Sequence, residues 1–149
     1  LPIILDVIEA ATTWTYTTAS FRQANAQAGN KCEYVTGDSS VLIDAQAFSV
    51  CASSVADQED NGAAGVGIDS TTVDSALHAA PGRLQAPGSQ VALVGASASF
   101  AGRPGLGYHS VTWLESGSQG QITTTALTFF GNFGSAQGLN SGLTVRLPG

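Results

Sequence analysis

Two cysteines, two histidines and a few clustered carboxylates are the side chains in this 149-residue sequence best suited to chemistry. A zinc site would draw on Cys32, Cys51, His78 and His109, because zinc takes about four N or S ligands. No two of these residues have ligand spacing, and no metal is expected. A serine nucleophile needs a base and a group to orient that base. The nearest approach to a nucleophile elbow is Gly95-Ala96-Ser97, which lacks the closing glycine. His109 would be the catalytic base or a pH switch on a trimer axis, but mid-strand it reads as a packed histidine. His78 reads as an exposed loop histidine beside a Pro-Gly turn. Asp57, Glu59 and Asp60 could mimic a glycosidase pair, yet in a Gly/Asn loop they read as solvated. Asp69 to Asp74 is oxygen-rich but lacks the glycine and terminal glutamate of a calcium loop, so Asp69 and Ser70 are expected to cap a turn. Gly102 to Gly107 has no Lys and no following helix and is not a phosphate loop. The chain is therefore expected to be no enzyme and to use no cofactor.

The elements that must position these groups read as β-strands. Gly107 to Glu115 is the strongest. Tyr108, Ser110, Thr112 and Leu114 lie on one face and His109, Val111, Trp113 and Glu115 on the other. Thr12 to Thr18 alternates, with Trp14 and Tyr16 together. Lys31 to Thr36 and Val41 to Ala52 flank Gly37-Asp38-Ser39-Ser40 and suggest a hairpin. Pairing Thr36 with Val41 would set Cys32 opposite Ala45 and Cys51 opposite Ala26. That is too far for a disulfide, which needs Cα atoms within about 7 Å, so two buried thiols are expected. Phe21 to Gly29 reads as a helical turn or loop, and Ser70 to Pro87 as irregular. Ala63 to Asp69, Gln90 to Phe100, Gln121 to Gly131 and Ser141 to Leu147 read as strands. Short strands separated by Gly/Ser turns predict an all-β fold, an antiparallel sandwich or jelly roll. Residues 1–10 read as an apolar arm, either a first strand or a segment that docks on a neighbour, and 11–149 as one domain.

Composition narrows the function. Charged residues make up 11% of the chain and the net charge is −6. Five Lys and Arg cannot supply the basic footprint that nucleic acid or an anionic membrane requires. A low-charge β-chain rich in Ser, Thr, Gly and Ala fits extracellular and virion surfaces.

Three stretches carry a resemblance: Gly65-Val66-Gly67-Ile68-Asp69-Ser70-Thr71-Thr72, Gly105 through Glu115, and Thr128-Phe129-Phe130-Gly131 followed by Ser141-Gly142-Leu143-Thr144-Val145. Together they resemble segments of tailed-bacteriophage structural proteins: capsid decorations, head fibres and tail fibres. The last strand also resembles the end of trimeric jelly rolls of the complement C1q and tumour-necrosis-factor type. The resemblance spans residues 63 to 149. It implies a protein of the outer virion surface, a homotrimeric capsid decoration (cement) or head fibre that binds the major capsid protein or other virion proteins. A tail-fibre tip binding a host receptor or carbohydrate is the alternative, with Phe130 and Phe133 as its candidate aromatics. Apolar bulk on both faces of the strands suggests contacts between copies. The expected interface residues are Tyr108, Val111, Trp113, Leu143, Val145 and Leu147, with Ile3, Ile4 and Leu5 of the arm reaching a neighbour.

Overall fold

The computed structural model describes residues 1–53, 62–79, 93–117, 127–132 and 140–149. Within them the chain is an antiparallel β-sandwich of two sheets, as the strand alternation predicts. The larger sheet, A, is built on β5 (Ile43–Ser53), whose one edge pairs along its length with β8 (Leu93–Gly102). Its other edge is shared by two shorter strands. β11 (Gly142–Leu147) pairs with the first half of β5 and β10 (Leu127–Phe130) with the second. β1 (Ile3–Ile8) then flanks β11, β2 (Thr13–Tyr16) flanks β10, and β7 (Leu77–Ala79) flanks β8. Ser141 bridges the step where β11 gives way to β10. Its hydroxyl accepts from the Val50 amide at 2.9 Å and donates to the Phe130 carbonyl.

Sheet B repeats this plan around β9 (Gly107–Ser116). β6 (Ala63–Ile68) lies along one edge. β4 (Lys31–Thr36) and β3 (Phe21–Gln23) divide the other. A single 3-10 turn, Ala24–Ala26, follows β3, with Asn25 and Ala26 at left-handed φ of 52° and 50°. At the step between β4 and β3, the Trp113 amide donates to the Asn30 carbonyl at 3.0 Å.

The predicted 31–36/41–52 hairpin does not form. β4 lies in sheet B and β5 in sheet A, so the Gly37 to Leu42 connection crosses between sheets instead of folding one edge onto itself. Cys32 and Cys51, both buried and without a disulfide, therefore sit on opposing sheets. Of the two readings of the arm, the structure shows a first strand: Ile3–Ile8 is β1, at the edge of sheet A. Ile3, Leu5 and Val7 alternate toward the interior, and Leu5 and Val7 pack on the core.

Between the sheets, Trp14 meets Trp113 edge-on at 6.0 Å and stacks on Phe129 at 5.9 Å. Leu127, Leu143, Val145, Val66, Val111 and Ile43 complete this core. The Trp113 indole N–H donates to Ser49 Oγ at 3.1 Å, tying β9 to β5 by a buried polar contact as well as by packing.

Candidate functional site: surfaces and buried polar clusters

Five of the residues expected at an interface belong to the chain's own core. Val111, Trp113 and Val145 have no exposed surface, and Leu143 and Leu147 are buried. They cannot reach a partner unless the sandwich opens, and that corrects the expectation. The reason is that both faces of β9 are used within the chain. The segment after β6 doubles back along that strand's free edge, with the Ser75 amide donating to the Val66 carbonyl and the Val66 amide to Asp74 Oδ1, each at 2.8 Å. Asp74, the Phe21 ring and Leu114 close on Gly65. At Gly67 a Cβ would stand 2.3 Å from the Ser70 carbonyl oxygen, so only glycine admits the returning backbone. Leu114, on the outward face of β9, is thereby fully buried. Of the nine expected residues, Tyr108, Ile3 and Ile4 are exposed and Leu5 is half-buried.

His109 faces the interior. Its Nδ1 donates to Asp69 Oδ2 at 2.8 Å, while Asp69 Oδ1 accepts the Ser110 amide at 2.8 Å. Asp69 holds this position at a left-handed φ of 52°. Burial alone would push the Asp69 carboxyl up, but the bonds from His109 and Ser110 outweigh it and hold the group below its ordinary range. In the neutral ring that donates Nδ1–H to Asp69, the acceptor is Nε2. That atom is buried without a protein partner among the described residues, as is the Tyr34 hydroxyl on the neighbouring ring. Burial, and secondarily Asp69, pushes Tyr34 up to about 12. An Asp-His pair with a bare Nε2 has the orientation of a general base. Ser70 caps the expected turn, its Oγ accepting from the Thr72 and Val73 amides, while the Asp69 carboxylate, expected to share that role, is engaged by β9.

His78 is held by a strand, where a loop was expected. In β7 its Nε2 contacts Asp74 Oδ2 at 2.6 Å, its Nδ1 contacts the Ala64 carbonyl at 3.0 Å, and its ring stacks on Phe21. It thereby fastens sheet A to the β6 edge of sheet B.

The most buried charge was not singled out by the sequence pattern. Glu115, fully buried, accepts from Trp14 Nε1 at 2.5 Å, from Arg22 Nε at 2.9 Å and from the Asn25 amide at 3.1 Å. Arg22 also lies over the Tyr16 ring at 3.8 Å. Burial pushes the Glu115 carboxyl up, and the bonds from Trp14, Arg22 and Asn25 only partly oppose it. A second buried carboxylate, Glu9, accepts from Asn30 Nδ2 at 2.6 Å and the Ala11 amide at 2.9 Å. Asp57, Glu59, Asp60 and Phe133 lie outside the described residues. Among the described residues no group of three or more His, Cys, Asp or Glu could hold a metal ion.

Two outer surfaces remain. On sheet B, Tyr108 is 60% exposed beside exposed Val35, and its hydroxyl donates to Glu33, which also receives Lys31. On sheet A, register places Ile4, Asp6 and Ile8 of β1, Thr144 and Arg146 of β11, Asp44, Gln46 and Phe48 of β5, and Leu77 of β7 on one outward face. Phe48 is 40%, Ile8 54% and Leu77 81% exposed. No helix among the described residues is long and apolar enough to cross a membrane.

No family model matches the chain, and no curated protein matches it.

Proposed function

We propose that this chain is a structural protein of the outer virion surface, a homotrimeric capsid decoration or head fibre that binds and stabilises a shell of other virion proteins. The supporting observation is the outer face of sheet A, which carries exposed Ile4, Ile8, Phe48 and Leu77 and few charges. Large apolar side chains held on a hydrogen-bonded sheet suit a protein that works by burying area against partners, stabilising what it binds by mass action. The histidines and buried carboxylates serve the same end, since each ties one element of the sandwich to another. The test is immunogold labelling of purified virions with antibody to the folded chain, followed by heating particles with and without it. Surface labelling, with particles that lack the chain opening at lower temperature, is expected. Its absence from particles would overturn the reading.

Tyr108 favours a second reading, a host-carbohydrate site. An exposed ring with an acidic and a basic side chain alongside offers a sugar both a stacking face and hydrogen-bond partners. Binding on a glycan array that is lost in Tyr108→Ala would support it. Phe130, an expected contributor, is half-buried in β10.

A further inference from the structure

We infer that the outer face of sheet A is the surface through which copies of this chain bind one another. The inference rests on the self-assembly part of the reading above and assigns it a surface.

Shape is the first reason. Phe48 stands where the open part of the face ends, since Val50 and Ala52 on the same side of β5 are buried, and its ring lies over Gly95, where a Cβ would come within 2.9 Å of it. On one side a hollow of about 360 Å³ is lined by Asp6, Ile8, Phe48, Gly142 and Thr144. On the other a hollow of about 320 Å³ is lined by Gln46, Phe48, Leu77, Ser97 and Ser99. The small residues of β8 and β11 make these hollows, and the large residues of β1, β5 and β7 rim them. A face that carries both a projecting ring and open hollows can seat the Phe48 ring of one copy in a hollow of the next, the heterologous contact from which a closed ring of three copies is built.

Charge is the second. The chain carries a net charge of −6, so two copies repel wherever their acidic surfaces approach. On this face the charged residues are Asp6, Asp44 and Arg146. Asp6 accepts the Thr144 hydroxyl at 2.7 Å, and Arg146 sits in register between Ile4 and Asp44. Asp6 reaches the hollow on one side of Phe48, and the hollow on the other side, toward Leu77 and Ser97, is lined by no charged residue, the depletion expected of an interface centre.

Area is the third. Five strands at about 4.8 Å spacing and six residues at about 3.3 Å each give roughly 480 Å² of flat sheet face, to which the relief of the projecting side chains adds. Stable interfaces bury about 600–1,000 Å² per partner. The outer face of sheet B has an exposed aromatic too, but its Tyr108 hydroxyl is already engaged by Glu33, and Lys31 and Glu33 put full charges beside it.

Sedimentation velocity on the full chain, on Phe48→Glu and on Tyr108→Glu, with thermal melts of each, tests the assignment. The expected result is a multimer for the full chain and for Tyr108→Glu, with Phe48→Glu reduced to a folded monomer. A multimer that survives Phe48→Glu overturns the surface assignment and leaves self-assembly standing. A monomeric full chain overturns both. If Phe48→Glu does not fold, Gln46→Cys takes its place, because Cys32 and Cys51 are buried and position 46 is exposed. Bismaleimide should then link chains through residue 46. Failure to link, or linking only to a different virion protein, overturns the proposal.

Discussion

Glu115 shows what one buried charge does in this sandwich. It gathers the Trp14 indole of β2, the Arg22 guanidinium of β3 and the Asn25 amide of the turn onto the end of β9. Removing it strands those donors, so Glu115→Ala should cost about 3 kcal/mol by chemical denaturation at pH 7. An unchanged midpoint would show that the cluster is not a structural anchor. The pH dependence has a definite sign. Because the folded carboxyl titrates above its unfolded value, its stabilising contribution is complete below the unfolded pKa and is lost as pH rises through the folded one. Relative to Glu115→Gln, the wild-type chain should therefore lose stability as pH rises above the ordinary glutamate pKa of about 4.3. A difference that grows in the opposite direction would contradict this. Cys32 gives a second test at this scale. Burial, with a smaller effect of Asp6, pushes its thiol up to about 11. Iodoacetamide should leave it unmodified at pH 8 in the native chain, and both cysteines should react after denaturation. Rapid native modification would contradict the burial.

At the scale of elements, the central strands decide the architecture. β5 and β9 are each long enough to hold two shorter partners on one edge, and the steps are closed by Ser141 and by the Asn30 carbonyl. Trp113 joins the two central strands through the aromatic cluster and Ser49. Trp113→Ala should cost about 3–5 kcal/mol and should act on folding, since the ring is core and not a subunit anchor. A variant that folds normally but fails only to associate would reverse that assignment. Strand existence was legible because a pleated strand alternates its faces. Alternation placed Trp14 with Tyr16 and His109 with Trp113. Sheet membership was not legible. Nothing in Gly37-Asp38-Ser39-Ser40 distinguishes a hairpin from a crossing between sheets, and a hairpin was the wrong choice. The 69–76 return was hidden too, because its bonds to β6 and to His109 join residues whose spacing has no period. That return is why apolar bulk on both faces of β9 does not signal a subunit contact.

For the whole molecule, the candidate surface emerged from exposure instead of from pattern. Tyr108, Ile3 and Ile4 were singled out in sequence and are exposed, while Phe48 and Leu77 were not singled out and are exposed on sheet A. In sequence Phe48 is one more alternating apolar residue. Only the pairing of β5 with β8 and β11 shows that its side is the outside. Much of the chemistry-bearing set is drawn inward and spent on joining sheets, and the apolar area left outside is what a structural protein would use. The claim that this chain works by assembling with itself is met most directly by sedimentation equilibrium of the purified chain at micromolar concentration. The account predicts a single species of three times the chain mass. A monodisperse monomer would contradict it.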